Sequence, residues 1–242
     1  SFKVNLISQE LSGRITYNVS YNVTIEQVTK RNKAIGRKIS KRSIDKIKNA
    51  KDVLAFLEFN SSYAIQKIEA ELKNDAYKGI NSTRMGAGNN KVYFTENSFE
   101  QKNSILECRT LGECFLIEQP KSVWEISQES KIIGGYLCYR AIYKTPLYTS
   151  TKPIAWFTPK ISASYGPKFF SGLPGLILEL EDNTVTFKAI KIELNPKKKI
   201  EIIKPKGKKI TKEAYEKLLR KTFPGFYKRW EKYKSSNGTN ND

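Results

Sequence analysis

The sequence predicts a mainly β fold with some helix (α+β): a curved antiparallel sheet or open half-barrel, on which one or two C-terminal helices pack. Three features of the 242-residue chain indicate this fold. Apolar and polar residues alternate along many short segments, which is the period of half-buried strands. Gly, Pro, Asn and Ser separate these segments, as turns require. After residue 194 the sequence becomes Lys-rich and its apolar residues recur with helical spacing.

The first predicted element is a long strand over residues 13–28. Its apolar members alternate strictly with polar ones and are Ile15, Tyr17, Val19, Tyr21, Val23 and Ile25. Residues 30–52 break this alternation. They predict a basic loop that contains at most a short helix, with Ser43 as its N-cap.

The middle of the chain predicts five further strands. Residues 53–59 and 63–72 form a pair across an Asn60-Ser61-Ser62 turn, and three more strands are predicted at 91–95, 105–109 and 114–118. Residues 74–90 are rich in Gly, Asn and Ser and predict a loop.

Stronger signals follow residue 123. Strands are predicted at 123–127, 136–144, 154–158 and 176–180, and a tight hairpin at Asp182-Asn183 leads into 184–194. Pro174-Gly175 suits the centre of a type II turn. The apolar phase changes between Phe187 and Ile190, which predicts a β-bulge.

The C-terminal part predicts a different organisation. Residues 196–209 form a basic linker with an apolar patch at Ile200, Ile202 and Ile203, and Thr211 caps a helix. A second helix carries Phe226, Trp230 and Tyr233 on one face. The predicted divisions are therefore a β domain over 1–194 with a basic insert at 30–52, a helical extension over 195–234, and a disordered tail over 235–242.

Positive charge is the strongest bulk signal. The net charge is +19, and it is concentrated in residues 30–51, with ten Lys/Arg and one Asp, and in residues 188–234, with seventeen Lys/Arg and five Glu. Such segments attract anionic partners, and the alternative is a Lys-rich solvated surface. The candidate partner or anion contacts are Arg37, Lys38, Lys41, Arg42, Lys197, Lys198, Lys199, Lys228, Arg229 and Lys232.

The residue inventory disfavours catalysis and metal binding. The chain has no histidine, which is the commonest acid–base group near neutral pH and the commonest ligand of catalytic zinc. We therefore expect no cofactor, no metal and no enzymatic activity. Cys108 and Cys114 could form a short-loop disulfide in an oxidising compartment; the alternative is that both, with Cys138, are buried thiols.

Two further groups have alternative interpretations. Glu179, Glu181 and Asp182 could serve a metal ion or acid–base chemistry, but a solvated strand face is the more frequent outcome. Four aromatic residues could line a ligand cavity inside the curved sheet, or could belong to the core. They are Trp124, Trp156, Phe169 and Phe170.

Several motifs, in order, resemble the GLPGLI family of exported Bacteroidota proteins. They are Trp124-Glu125-Ile126, the run from Lys131 to Ala141 with its Gly-Tyr-x-Cys core, Ala155-Trp156-Phe157-Thr158, Gly166-Pro167, and Gly172-Leu173-Pro174-Gly175-Leu176-Ile177. The resemblance covers about seventy residues well and the first strand loosely. It implies a location in the periplasm or at the outer-membrane surface, with Ser1 following a cleaved signal peptide. The family is largely of unknown function.

The hexapeptide at 172–177 could be a recognition loop, but a turn that leads into a core strand is the favoured interpretation. The leading functional hypothesis is a non-enzymatic envelope protein that docks on an outer-membrane protein, such as a TonB-dependent transporter. The alternatives are a periplasmic carrier of an acyl chain or other apolar ligand, and a polyanion-binding protein. An anionic lipid or lipopolysaccharide surface is a further expected partner, and nucleic acid is not preferred.

Overall fold

A computed structural model describes residues 10–34, 36–70, 80–98, 100–144 and 152–236, with only the backbone described for residue 230 and residues 232–236. The strands are β1 Gly13–Tyr21, β2 Val53–Phe59, β3 Tyr63–Ile68, β4 Val92–Glu96, β5 Lys102–Glu107, β6 Phe115–Gln119, β7 Trp124–Ile133, β8 Tyr136–Tyr143, β9 Ile154–Thr158, β10 Leu176–Asp182, β11 Val185–Leu194 and β12 Lys208–Thr211. The helices are α1 Ile25–Ala34, α2 Lys41–Lys48, α3 Ser82–Gly86, α4 Lys212–Thr222 and α5 Pro224–Ser236.

The strands form one open sheet in the order β12-β6-β5-β4-β3-β2-β1-β11-β10-β9-β8-β7. Neighbouring strands are antiparallel, except that β12 runs parallel to β6. The predicted mainly β fold with C-terminal helices is therefore confirmed.

The sheet is strongly rolled. Strands β6 and β7 lie ten strand spacings apart in the sheet, which would be roughly 48 Å if the sheet were flat. Only four residues, 120–123, connect them, and an extended link of that length spans about 18 Å. Ser171 also shows that the two sides of the sheet lie close together, because it is bonded to both β5 and β7. Its Oγ accepts a hydrogen bond from Asn103 of β5 (2.8 Å), and its carbonyl accepts one from Trp124 of β7 (2.8 Å).

The inner face of the rolled sheet holds the main core. Strands β1, β2 and β11 contribute fully buried side chains such as Tyr17, Leu57 and Phe187. The chain between β9 and β10 folds back across this face and buries Tyr165 and Phe170 there. The Tyr165 hydroxyl donates to the carbonyl of Asn60 in the β2–β3 turn (3.1 Å).

The predicted bulge in β11 is present. The pairing register with β1 shifts between Thr16 and Tyr17, which pair with Lys191 and Ala189, so Ile190 is the extra residue. The bulge moves Ile192 onto the same face as Phe187, and this explains the change of apolar phase in the sequence.

The predicted strand over 13–28 is wrong in its second half. β1 ends at Tyr21, and α1 follows at Ile25. A capping box starts this helix: Gln27 N–H donates to Thr24 Oγ1 (3.1 Å), and Thr24 N–H donates to Gln27 Oε1 (2.9 Å). This reciprocal pair of hydrogen bonds stabilises the start of a helix. Val23 and Ile25 continue the apolar–polar alternation of β1 only by coincidence.

Two predictions about the following loops are also wrong. Ser40, not Ser43, is the N-cap of α2, because its hydroxyl accepts a hydrogen bond from the backbone N–H of Ser43. Residues 82–86 of the predicted 74–90 loop form α3, which Asn81 caps through Thr83 N–H (3.1 Å). Residues 71–79 lie outside the described residues.

The C-terminal part returns to the sheet. Residues 195–207 lead from β11, an interior strand, to the edge of the sheet beside β6, where the last part of the predicted linker becomes the edge strand β12. Thr211 caps α4 as predicted and accepts a hydrogen bond from Ala214 N–H (3.2 Å). Helix α5 continues to Ser236, into the tail predicted as disordered; residues 237–242 lie outside the described residues. No helix in the described ranges is both long and apolar enough to cross a membrane.

Candidate interaction surfaces

The connection from β1 to β2 stands apart from the core; we call residues 22–52 the α1–α2 insert. Neither of its helices has a buried residue. Polar contacts hold it to the sheet: Asn22 N–H donates to the Thr184 carbonyl (3.0 Å), and the Asn81 amide group donates to the Lys51 carbonyl (2.9 Å). The insert therefore adds surface without contributing to the core.

Nine cations of the insert have no counter-ion among the described residues. No carboxylate of that part of the chain lies within ion-pairing distance of their side chains, and all nine are exposed. They are Lys30, Arg31, Lys33, Arg37, Lys38, Lys41, Arg42, Lys46 and Lys48. The structure thus brings four predicted contacts, Arg37, Lys38, Lys41 and Arg42, into one locally positive region.

Two of these cations lie where they destabilise their own helix. Lys41 and Arg42 occupy the first turn of α2, which has no acidic residue. The helix dipole places partial positive charge there, so each cation costs roughly 0.3–1 kcal/mol. Cations in the first turn break a local rule of helix stability without a structural gain, and such departures are typical of functional surfaces.

The second basic segment differs from the first because part of its charge is paired. Lys204 contacts Glu96 (2.6 Å), and Arg220 contacts Glu231 (2.5 Å). The predicted contacts Lys197, Lys198 and Lys199 are exposed just after β11, whereas Lys228 and Arg229 are exposed on α5. These two groups belong to separate elements, and the side chain of Lys232 lies outside the described residues.

Helices α4 and α5, which we call the α4–α5 arm (residues 212–236), are anchored on the sheet by Tyr215. Its ring packs against Phe115 at 5.3 Å, and its hydroxyl donates to Glu107 Oε2 (2.7 Å). Burial alone raises the pKa of the Glu107 carboxyl. Hydrogen bonds from Tyr215 and from the backbone of Arg109 and Thr110 outweigh that effect and hold the pKa below its usual value.

The four aromatic residues for which the sequence leaves cavity lining and core as alternatives do not lie in one group. Trp124, Phe169 and Phe170 pack in one group, with ring centroids of 5.9 Å for Trp124–Phe170 and 4.7 Å for Phe169–Phe170. Trp156 instead lies under the ammonium group of Lys131, which is 4.1 Å from its ring. All four pack against or within the main core.

Two of the three candidate carboxylates of β10 form internal ion pairs, and the third, Glu181, is exposed. Glu179 contacts Lys131 (2.6 Å), and Asp182 contacts Lys168 (2.5 Å), with both carboxylates buried. Among the described residues there is no group of His, Cys, Asp and Glu that could hold a metal ion.

Cys108 and Cys114 are joined by a disulfide that closes the β5–β6 loop. This loop begins directly after Glu107, and its Leu111 packs against the Tyr215 cluster. Cys138 is a buried free thiol, and burial raises its pKa to about 11 although the nearby Lys131 acts to lower it.

The hexapeptide at 172–177 forms a turn whose apolar members are core residues. Leu173, Leu176 and Ile177 are buried, and the Ile177 carbonyl accepts a hydrogen bond from the Tyr17 hydroxyl (2.7 Å). Gly175 N–H donates to the Leu173 carbonyl (2.8 Å), so the turn is tighter than the predicted type II turn. A Cβ at Gly175 would lie 2.1 Å from the Thr158 carbonyl oxygen, which only glycine avoids.

Two cavities were not predicted from the sequence. One, of about 400 Å³, lies on the outer face of β11-β1-β2-β3, where Phe56 and Ile65 adjoin the Arg14–Glu58 ion pair. The other, of about 290 Å³, lies between the outer face of β4-β5-β6 and Lys204 and Lys209. The alternation along each strand predicts which residues lie on the outer face. It does not predict which of them are neighbours across strands, because that depends on the pairing register.

Comparisons with known proteins agree with this fold. Residues 147–179 match the model of a Bacteroidota-associated family described as a protein of unknown function (Porph_ging), and this range contains the hexapeptide. Two solved structures of PNGF-II, in space groups P21 and C2, each have a TM-score of 0.51 and 14% identity to the chain. Each similarity covers 87% of this chain and 33% of the other, so the chain spans about a third of PNGF-II. No curated protein sequence matches the chain.

Proposed function

We propose that this protein is a non-enzymatic docking protein of the cell envelope, of the GLPGLI type. Its α1–α2 insert binds an acidic surface of an outer-membrane protein such as a TonB-dependent transporter. The observation that carries the proposal is the set of nine cations that have no counter-ion among the described residues, on an insert whose two helices have no buried residue. An acidic partner supplies the missing counter-charges and favours rapid association.

An acidic protein suits this insert better than a bilayer does. The exposed large apolar side chains of the described residues include none from the insert, so it has no anchor to place among acyl chains. The core-face carrier hypothesis has less support, because Ile161, Tyr165 and Phe170 of the chain itself occupy the inner face of the sheet.

The test is recovery of the tagged full-length protein from native membranes. The variant carries Arg37→Gln, Lys38→Gln, Lys41→Gln and Arg42→Gln, and the control carries Lys197→Gln, Lys198→Gln, Lys199→Gln and Lys206→Gln. Both lose four exposed cations, so the net charge is the same. Wild type and control should recover an outer-membrane protein, and the variant should bind it about tenfold or more weakly, at roughly 0.5 kcal/mol for each lost contact.

Recovery should also decrease with salt, because the screening length falls from about 10 Å at 0.1 M to about 3 Å at 1 M. Equal losses in variant and control would mean that only the net charge matters, which contradicts a docking insert. Recovery of no outer-membrane protein by the wild type, or recovery of nucleic acid or lipopolysaccharide alone, would contradict the proposed partner.

A further inference from the structure

The corner between α4 and α5 exposes two large aromatic side chains. Phe223, the C-cap residue of α4, is 40% exposed, and Phe226 in the first turn of α5 is 58% exposed. Pro224 and Gly225 between them are exposed as well. The corner therefore presents an apolar tip to solvent, which is costly without a partner.

Among the described residues, the contacts that hold the α4–α5 arm to the sheet do not involve these rings, although Phe226 packs edge-on against Tyr227 of the same helix (ring centroids 5.4 Å apart). Tyr215 anchors the arm to the sheet near the start of α4. Arg220 joins the two helices, since it contacts Glu231 (2.5 Å) and lies 4.8 Å from the Tyr227 ring. Phe223 and Phe226 are therefore available without undocking the arm.

Four exposed cations lie within six residues of the apolar tip along the chain. Lys217 and Lys221 lie one turn apart on α4, and Lys228 and Arg229 follow Phe226 on α5. No carboxylate of the described residues lies within ion-pairing distance of any of them. Aromatic rings beside unpaired cations form the pattern that binds an anionic lipid–water interface.

We propose that the α4–α5 corner inserts into the surface of an anionic lipid bilayer. Phe223 and Phe226 enter the boundary between headgroups and acyl chains, while the cations contact lipid phosphates. A single strand of nucleic acid suits the corner less well, because it needs a groove for its backbone, and neither cavity described above is lined by the arm. The inference does not depend on the partner proposed for the α1–α2 insert.

Sedimentation of the full-length protein with phosphatidylcholine vesicles, with and without phosphatidylglycerol, tests the proposal. We expect binding only with the anionic lipid. The double variant Phe223→Ser/Phe226→Ser should bind at least roughly tenfold more weakly. Lys228→Gln/Arg229→Gln should weaken binding about fivefold for each lost charge. The matched control is Phe56→Ser, because Phe56 is 41% exposed on the outer face of the sheet and should leave binding unchanged.

A second measurement shows which part of the protein meets the bilayer. Gly225 has no heavy atom within 4 Å of an added Cβ, so Gly225→Cys can carry an environment-sensitive dye. Its emission should shift to the blue on anionic vesicles, whereas a dye at Asp45→Cys on α2 should not respond. Equal binding by Phe223→Ser/Phe226→Ser and wild type, equal loss with Phe56→Ser, or a dye response at position 45 alone would overturn the proposal.

Discussion

The molecule has two basic helical regions, and they are attached to the same sheet in opposite ways. The α1–α2 insert has no buried residue and nine cations without counter-ions among the described residues. The α4–α5 arm has Tyr215 in a small core, a buried carboxylate at its anchor and an ion pair between its helices. A high local charge therefore does not by itself show whether a basic region is packed on the sheet or whether its charges are paired.

The two regions differ in how much each contributes to the stability of the sheet. The insert joins two antiparallel neighbours, β1 and β2, which a short turn could join directly. Its stability adds little to the sheet, so its sequence can serve a partner. The arm covers Phe115 and Ile117 on the sheet, and its sequence serves packing on one side and solvent on the other.

The largest expected effect is on the arm. Tyr215→Ala should lower the free energy of unfolding by about 3 kcal/mol, because it removes a buried ring and leaves a cavity beside Phe115. Ile44→Ala in α2 should cost less than about 1 kcal/mol, because Ile44 is only partly buried. Urea denaturation measures both. Equal losses would mean that the insert is as much a part of the fold as the arm.

Acid should weaken the arm through Glu107. Its pKa is lowered in the folded state, so its contribution is complete above the unfolded pKa of about 4.3 and is lost as the pH falls through the lower folded pKa. Tyr215→Phe removes one hydrogen bond to the carboxylate and should cost about 1.5 kcal/mol at neutral pH. The pH dependence of stability below pH 4 should be shallower in that variant, and an unchanged profile would mean that another carboxylate is responsible.

Removal of the two helix caps should change stability least, and it compares the arm with the insert most directly. Thr211→Ala removes the N-cap of the packed helix α4 and should lower global stability by about 1 kcal/mol. Thr24→Ala removes half of the α1 capping box and should increase hydrogen exchange of the first α1 amides with little change in global stability. Thr29→Ala, at an exposed position within α1, is the control. A global loss from Thr24→Ala would show that α1 and the sheet unfold together.

The strands were largely predictable because their signal is local. Alternation in β1 and β2 reports which face is buried, and the phase change near Ile190 reports the bulge. The same rule failed at Val23 and Ile25, where the Thr24–Gln27 capping box was the overlooked signal. Strand β12 was missed because its pairing with β6 depends on residues more than ninety positions away.

The interaction surfaces were predictable only in part. Composition identified the two basic segments, since counting charge needs no structure. Composition did not reveal that Lys204 and Arg220 have counter-ions, whereas Arg37 and Lys41 have none in the part of the chain that the structure describes. One reason is distance in sequence, because Glu96 lies 108 residues from Lys204. The separation of Trp156 from Phe170 is likewise a property of the rolled sheet rather than of the sequence.

The central claim is that the α1–α2 insert docks a partner and is separable from the fold. The most direct test replaces residues 23–50 with an Asn-Gly turn between β1 and β2. Unfolding and membrane recovery of this protein are then compared with those of the wild type. The account predicts a cooperative unfolding transition within about 1 kcal/mol of the wild type and no recovery of the outer-membrane partner. Loss of the folded sheet, or a partner recovered as well as by the wild type, would contradict it.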